Sequence, residues 1–373
     1  MKFIVSSTEL SSHLQSVSKV VASKPSLPIL DHFLFVLEKN KLTITASDLE
    51  STIVTSLPVE CSEKGTIALP AKILLESIKR FAEQPLTFNV DKATFGLEVV
   101  YDKGKFNLVG LNGDDFPKAT ELSADAAKKF EISSDALLMG INKTLFATAD
   151  DELRPVMNGI FIDLTEDVTT FVASDTHKLV RYRRLDVKTG LVGGFILPKK
   201  PASFLKNILK GGVNVMVEFD DKNAHFTTPE HKLVCRLIEG KYPAYGSVIP
   251  QNSPNKIVVE RGELVDAISR VALFSNAGSN LITFDIAGTE LTVSAQDLDF
   301  SLGAVEGMGC QNEGEDLKIG FKSNLLSDIL SNISAHEVVV LLTDASRAGL
   351  FLPFQTTEIE DELMLLMPMM INA

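Results

Sequence analysis

Four consecutive residues, Ser174-Asp175-Thr176-His177, bring a hydroxyl, a carboxylate and an imidazole close together in the chain. A serine hydrolase uses these groups, with the histidine accepting the proton of the serine nucleophile. However, the glycines of a Gly-x-Ser-x-Gly nucleophile elbow are absent around Ser174. The same Ser-Asp pair recurs at Ser47-Asp48, inside a repeat described below, which favours a turn. A hydrolase using Ser174 and His177 is therefore kept only as an alternative.

Side chains that could bind a metal ion or a phosphate are scattered along the chain. Asp175, His177, His225 and His231 could be ligands, but their spacing matches no known metal site. The glycine pairs at 193–194 and 211–212 do not form the GxGxxG or GxxxxGK[ST] patterns of phosphate-binding loops. We therefore expect no catalytic residue, no metal and no cofactor.

Basic residues give a stronger signal, because they recur on or beside predicted helices. Lys199, Lys206 and Lys210 share one face of a helix predicted after Pro198, while Phe204 and Leu205 belong to its apolar face. Such a face is often simply solvated, but repeated positive helices can follow DNA phosphates without reading bases. The DNA-binding candidates are Lys24, Lys79, Arg80, Arg154, Lys199, Lys200, Lys206, Lys210, Arg270 and Lys322.

The elements that carry these residues occur three times. Phe3, Phe130 and Ile257 each open a strand that leads into an apolar-striped helix, at intervals of 127 residues. Alternating strands and a second helix follow in each copy, so that each third reads strand, helix, three strands, strand, helix, three strands. The pattern predicts an α+β fold of three tandem domains with helices on one face of their sheets, at 1–120, 121–246 and 247–373.

Composition narrows the class of protein. The chain has 373 residues, a net charge of −13 and three widely spaced cysteines, which suits a reduced, cytoplasmic setting. It contains no run of 18 apolar residues, so we expect no membrane association. Residues 246–373 hold 18 acidic and 6 basic residues, so most of the acidity is local to the last third. A basic surface elsewhere remains compatible with the overall charge.

Several short motifs together resemble the bacterial DNA polymerase III β subunit family, the β sliding clamps, over essentially the whole chain. They are Leu27-Pro-Ile-Leu30, Thr45-Ala-Ser-Asp-Leu-Glu50, Asp115-Phe-Pro117, Asn158-Gly159, Ala173-Ser-Asp-x-His-Lys-Leu179, Leu237-Ile-Glu-Gly-Lys-Tyr-Pro243, Ile319-Gly-Phe321 and Met367-Pro-Met369. The resemblance implies a head-to-tail homodimeric ring of clamp domains, with helices lining the inside and antiparallel sheets outside. It also implies dimer contacts between Phe106 and Leu108 of one copy and Leu273 and Phe274 of the other.

The resemblance further implies a pocket for partner peptides between the second and third domains. Its residues would be Met157, Ser174, Thr176, His177, Lys178, Leu179, Pro243, Val248, Ala348, Leu365, Met367, Pro368, Met369 and Met370. Met370 and Ser247 stand where the family often has basic residues, and Pro155 and Val156 replace tyrosines that touch DNA in some members.

Taken together, the sequence predicts a non-enzymatic sliding clamp that tethers a replicative polymerase to duplex DNA. The implied partners are a second copy of the chain, DNA of any sequence, the replicative DNA polymerase alpha subunit, the clamp loader and other clamp-binding-motif proteins. The alternative from another class, beside the hydrolase, is a monomeric tandem-domain adaptor, which predicts neither a ring nor an enclosed basic surface.

Overall fold

The computed structural model describes residues 1–61, 63–123 and 126–371. Residues 124, 125, 372 and 373, which the predicted second and third domains include, lie outside the described residues. The chain forms two compact units. The first comprises Met1–Leu138 with Lys200–Leu237, and the second comprises Met139–Lys199 with Ile238–Ala373.

The first third of the chain has the predicted order of elements, with a short additional strand, β5. Its elements are β1 Lys2–Ser6, α1 Ser7–Val17, β2 His32–Glu38, β3 Lys41–Ser47, β4 Ser51–Pro58, β5 Glu60–Cys61, β6 Gly65–Pro70, α2 Ala71–Ile78, β7 Pro85–Val90, β8 Gly96–Tyr101 and β9 Gly104–Val109.

The second third repeats this order without the short strand. Its elements are β10 Lys128–Ser133, α3 Ser134–Thr144, β11 Gly159–Leu164, β12 Thr169–Ser174, β13 Lys178–Arg184, β14 Gly193–Pro198, α4 Lys199–Ile208, β15 Asn214–Phe219, β16 Asn223–Thr227 and β17 His231–Arg236.

The last third repeats it again, with a short additional strand, β22. Its elements are β18 Asn255–Glu260, α5 Arg261–Val271, β19 Leu281–Ala287, β20 Glu290–Asp297, β21 Leu302–Gly309, β22 Gln311–Glu313, β23 Leu317–Lys322, α6 Ser323–Asn332, β24 Glu337–Leu342, β25 Gly349–Pro353 and β26 Glu360–Leu366. The described residues therefore contain six α-helices, two in each copy, and the α+β prediction is confirmed. None of these helices is long and apolar enough to cross a membrane.

Local signals explain where the helices form. The Ser6 side chain caps α1 by accepting a hydrogen bond from the Glu9 backbone N–H at 3.3 Å. The apolar positions of α1, at Leu10, Leu14 and Val17, are fully buried. The stripes of the other helices pack inward in the same way, so amphipathic spacing fixed which helix face joins the core.

Antiparallel pairing builds two sheets in each unit. In the first unit the strand orders are β5-β1-β7-β8-β9 and β10-β15-β16-β17-β4-β3-β2-β6. In the second unit they are β14-β11-β12-β13-β26-β25-β24-β18-β22 and β21-β20-β19-β23. The eight-stranded and nine-stranded sheets each combine strands from two successive repeats. They do so through equivalent pairs, β4 with β17 and β13 with β26.

Candidate functional site

The Ser174–Lys178 segment is a tight turn held by its own polar groups. The Ser174 hydroxyl donates to the Lys178 carbonyl at 2.8 Å and accepts from the Thr176 N–H at 3.1 Å. Asp175 accepts from the His177 and Lys178 N–H groups, and Thr176 has a φ of +78°. Ser174 is thus buried and bonded to the backbone rather than to a histidine base. This geometry supports a structural turn over a hydrolase nucleophile.

The turn is repeated in the first unit, as the recurring Ser-Asp pair indicated. There the Ser47 hydroxyl donates to the Ser51 carbonyl at 3.2 Å, and Asp48 accepts from the Glu50 and Ser51 N–H groups. Leu49 has a φ of +77°, almost that of Thr176. Two copies with different side chains at their tips argue that the Ser-Asp pair builds backbone shape.

Two of the histidines considered as metal ligands have other partners. The His225 ring contacts the Thr120 carbonyl at 3.0 Å, and the His231 ring contacts the Ser16 hydroxyl at 2.9 Å. Within the described ranges, no group of three or more His, Cys, Asp or Glu side chains is arranged to hold a metal ion.

The predicted pocket residues all belong to the second unit, around the junction of β13 with β26. The pairing of these strands sets Leu179 opposite Leu365, and both are buried in one apolar cluster with Ala348. Beyond β26, the Met367 N–H donates to the His177 carbonyl at 2.8 Å, and the Met369 N–H donates to the Gly320 carbonyl. The last segment is therefore fixed against both the turn and β23.

Apolar side chains at this junction reach solvent. Met370 is 83% exposed and Met367 43% exposed, and Val248, from the short helical turn Tyr245–Val248, is exposed as well. Pro368 and Met369 are half-buried, as is Met157, while Pro243 is exposed. An exposed group of flexible thioethers above a packed apolar floor suits an adaptable partner peptide.

Two predicted or neighbouring residues have roles that the sequence did not reveal. The Lys178 side chain is buried, and its ammonium lies 3.0 Å from Asp328 and 3.4 Å from Asp175, so it is engaged inside the protein. Tyr242 was not among the predicted residues, yet it is buried in the floor of the cluster and stacks on Phe161 with ring centroids 4.9 Å apart. Its position in the Lys-Tyr-Pro motif was the available signal.

Most of the predicted DNA-binding cations already have a carboxylate partner. The pairs are Lys79–Glu76, Arg154–Asp151, Lys199–Asp150, Lys200–Asp48, Lys210–Glu230 and Arg270–Glu306. The hydrogen bond from Lys210 holds the pKa of Glu230 below its usual range, and Arg270 does the same for the pKa of Glu306. No carboxylate among the described residues lies within 4 Å of the charged groups of Lys24, Arg80, Lys206 or Lys322.

The four predicted dimer residues lie near two edge strands. Phe106 and Leu108 are half-buried on β9, the edge of the five-stranded sheet. Leu273 and Phe274 directly follow α5 and are 79% and 38% exposed, so they are not core residues. The second unit also has an edge strand, β21, on which Leu302 and Val305 are exposed. The sequence pattern predicted a third strand at this place in the last third, but no residue of β21 was among the predicted dimer contacts.

Family models match three consecutive segments of the chain. They describe the N-terminal domain of the DNA polymerase III beta subunit, at residues 1–120, its central domain, at 131–244, and its C-terminal domain, at 246–369.

Individual relatives match at full length. A beta sliding clamp of Synechocystis is 27% identical over 379 residues, covering 95% of this chain and 96% of the relative. One of Bacillus subtilis is 27% identical and covers 93% and 94%. Among solved structures, a Pseudomonas aeruginosa sliding clamp bound to griselimycin has 27% identity and a TM-score of 0.93, and a Bacillus subtilis sliding clamp has 25% identity and a TM-score of 0.92. Both structures cover 100% of both chains.

Proposed function

The chain belongs to the DNA polymerase III beta subunit family, the bacterial sliding clamps, and on this premise we propose that two copies close head to tail into a ring around duplex DNA. It is a non-catalytic processivity subunit with three α+β clamp domains. We place the domain limits at 1–120, 121–246 and 247–373, with the helices facing the DNA and the sheets facing outward. The duplex is held topologically, because a closed ring cannot leave it sideways.

The observation that carries this proposal is that two strands, β9 and β21, each lie at the edge of a sheet with one side unpaired among the described residues. The three repeats have two internal junctions, β4 with β17 and β13 with β26. By repeat equivalence β21 corresponds to β4 and β13, and β9 corresponds to β17 and β26. Both β9 and β21 end their sheets. Joining β21 of one copy to β9 of another would complete the third junction, and two copies would close the cycle.

Helix packing supports two copies rather than one. Neighbouring helices pack at roughly 8–10 Å, so the six helices of one chain would enclose a circle of about 19 Å diameter, which their own bulk would fill. Twelve helices would give about 38 Å, which admits a duplex of roughly 20 Å with surrounding water. The monomeric adaptor alternative offers no role for the two apolar sheet edges.

The basic residues of the helices would contact DNA phosphates without reading bases. Such contacts are weak and salt-dependent, which lets a ring move along the duplex. Partner proteins, including the polymerase alpha subunit and the clamp loader, would dock short apolar peptides at the junction of β13 with β26. The exposed methionines and Val248 support an apolar occupant, and the uncharged Met370 and Ser247 support one that needs no acidic residue at the rim.

Removal of the exposed apolar residues after α5 tests the ring. Leu273→Ala with Phe274→Ala should give a folded monomer, because each side chain is solvent-exposed in one chain and its burial in the dimer would count at two symmetric interfaces. Analytical ultracentrifugation would measure assembly, circular dichroism would measure folding, and negative-stain electron microscopy would show whether the unaltered protein forms rings. A variant that stays dimeric at nanomolar concentration, or unaltered protein without rings, would contradict the proposal.

A further inference from the structure

Three lysines of the basic helix α4 and its C-terminal end are each paired with a carboxylate from another part of the chain. The Lys199 ammonium lies 2.6 Å from Asp150, and the Lys210 ammonium lies 2.5 Å from Glu230. Lys200 pairs with Asp48. Asp150 and Glu230 are both at the surface, with side chains 81% and 48% exposed. Each of these carboxylates therefore uses part of the charge and donor capacity of a lysine that a DNA phosphate would also use.

The third carboxylate differs from the other two. The Asp48 side chain is only 7% exposed, and it also accepts the turn hydrogen bonds from Glu50 and Ser51. Its replacement would disturb the turn. By contrast, the only hydrogen bond of the Asp150 carboxylate among the described residues comes from Lys199. The Glu230 carboxylate accepts a hydrogen bond from Lys210. Asp150 and Glu230 can therefore be neutralised without removing a turn or cap.

A phosphate that contacts one of these lysines competes with the carboxylate for the charge and the N–H donors of the ammonium. The net gain in binding free energy is then the difference between two similar charge-assisted bonds. It is smaller than the gain from a lysine whose ammonium points freely into water. Salt weakens the internal pair as well as the phosphate contact, and the two effects partly cancel. An exchange of partners thus gives weak contacts with a shallow salt dependence.

Resting on the proposed function, we propose that Asp150 and Glu230 are competitor carboxylates that keep the hold of Lys199 and Lys210 on DNA weak enough for sliding. Each lysine alternates between its internal carboxylate and a phosphate, so no contact fixes the ring at one position on the duplex.

The test is a neutralised variant, Asp150→Asn with Glu230→Gln, against a control with the same change in net charge. The control is Asp167→Asn with Glu313→Gln, which removes the exposed partners of Lys188 and Lys256, two lysines outside the DNA-binding set. Binding to a short fluorescein-labelled duplex would be measured by anisotropy over a range of KCl concentrations. Diffusion of loaded rings along DNA would be followed by single-molecule fluorescence.

The neutralised variant should bind DNA about two- to twentyfold more tightly than the control, as expected from the typical strength of two exposed ion pairs. Its affinity should also fall more steeply with salt, and its rings should diffuse more slowly. In a protein that also carries Lys199→Gln and Lys210→Gln, the Asp150→Asn and Glu230→Gln changes should raise DNA affinity no more than the control changes do. The lysines for which carboxylate and phosphate compete are then absent.

Equal affinity and salt dependence in the neutralised and control variants would overturn the inference, as would a gain that persists without the lysines. Failure of the proposed function is separable from these outcomes. If unaltered rings are not retained on circular DNA after loading, the clamp proposal itself fails. If they are retained and only the variants behave alike, the clamp proposal stands and the competitor role does not.

Discussion

The Lys143 ammonium of α3 lies 2.8 Å from the Glu362 carboxylate of β26, and both side chains are almost buried. The same ammonium donates to the Asn332 carbonyl at 3.1 Å and to the Ser334 hydroxyl at 3.3 Å. Burial raises the pKa of Glu362, and the hydrogen bond from Lys143 opposes that shift. The equivalent positions in the first unit carry Ser16 and His231, which contact each other at 2.9 Å. Each internal strand junction thus has a polar contact from helix to strand, but with different chemistry.

Removing one member of the buried pair should destabilise the second unit strongly. Glu362→Leu leaves the Lys143 ammonium buried without its counter-charge, and we expect a loss of about 3–5 kcal/mol in the free energy of unfolding. The double variant Lys143→Met, Glu362→Leu should recover most of it, since no buried charge remains. Thermal and urea unfolding would measure both. The exposed pair Lys188–Asp167 is the control, and Asp167→Ala should change stability by under about 0.5 kcal/mol.

The first unit should lose stability on acidification through His231. Burial, with a smaller contribution from His13, lowers the pKa of His231 to about 4, while Glu230 opposes the shift. The unfolded chain binds this proton near pH 6.5, so between about pH 6.5 and pH 4 it holds more protons than the folded one. Stability should therefore be full at neutral pH and fall by roughly 1–3 kcal/mol towards pH 4. Melting temperatures at a series of pH values would show the fall.

A glutamine at position 231 separates this effect from general acid unfolding. His231→Gln keeps an amide that can bond to the Ser16 hydroxyl but has no proton to bind in this range. Its stability should fall less between pH 6.5 and pH 4 than that of the unaltered protein. Burial also lowers the pKa of His225, so His225→Gln would change the pH dependence as well and is a poor control. The control is therefore His177→Gln, at an exposed histidine. An unchanged pH dependence in His231→Gln would exclude this residue as the cause.

The order of helices and strands could be predicted because its causes are local. Capping at Ser6 and the apolar spacing of α1 act within a few residues, and the 127-residue repeat supplied each pattern three times. The strand junctions could not be predicted from the sequence. The pairing of β4 with β17 joins residues nearly 180 positions apart, and no local pattern encodes it. Ion pairs such as Lys143–Glu362, 219 residues apart, depend on the same pairing. For this reason a basic helix face could be predicted and its carboxylate partners could not.

The pocket could be outlined only by resemblance, and its side chains still need a direct test. Deleting residues 367–373 should abolish binding of a clamp-motif peptide. That deletion also removes the backbone bonds from Met367 to His177 and from Met369 to Gly320, so it confounds side chains with strand structure. Met367→Ser with Met370→Ser keeps the backbone and should weaken the peptide about tenfold or more, because two exposed apolar surfaces are lost. Isothermal titration calorimetry would measure the affinity.

Another exposed methionine provides the matched comparison for this variant. Met139 on α3 is 40% exposed and is not among the predicted pocket residues. Met139→Ser should leave peptide affinity unchanged. Full affinity in the Met367→Ser, Met370→Ser protein, with the dimer still intact, would remove these side chains from the pocket.

The register of the proposed third junction follows from the two internal ones. In the β17–β4 pair Leu233 stands opposite Ile53, and repeat equivalence puts Phe106 in the place of Leu233 and Ala304 in that of Ile53.

The directions of the side chains on β9 and β21 agree with this register. Ala304 packs partly against the core of its unit, and the Phe106 ring lies 6.4 Å from that of Phe81. On the opposite, exposed face, Lys105 of one copy should then oppose Val305 of the other.

Lys105→Cys with Val305→Cys should form a disulfide under mild oxidation, because directly opposed Cβ atoms approach within about 5 Å. A non-reducing gel would show a covalent dimer, with the unaltered protein as the control for its own cysteines. Lys105→Cys with Gly303→Cys, shifted by two residues on the same face, should react much more slowly. Faster bridging in the shifted pair would mean a different register, and no bridging in either would mean that β9 and β21 do not meet.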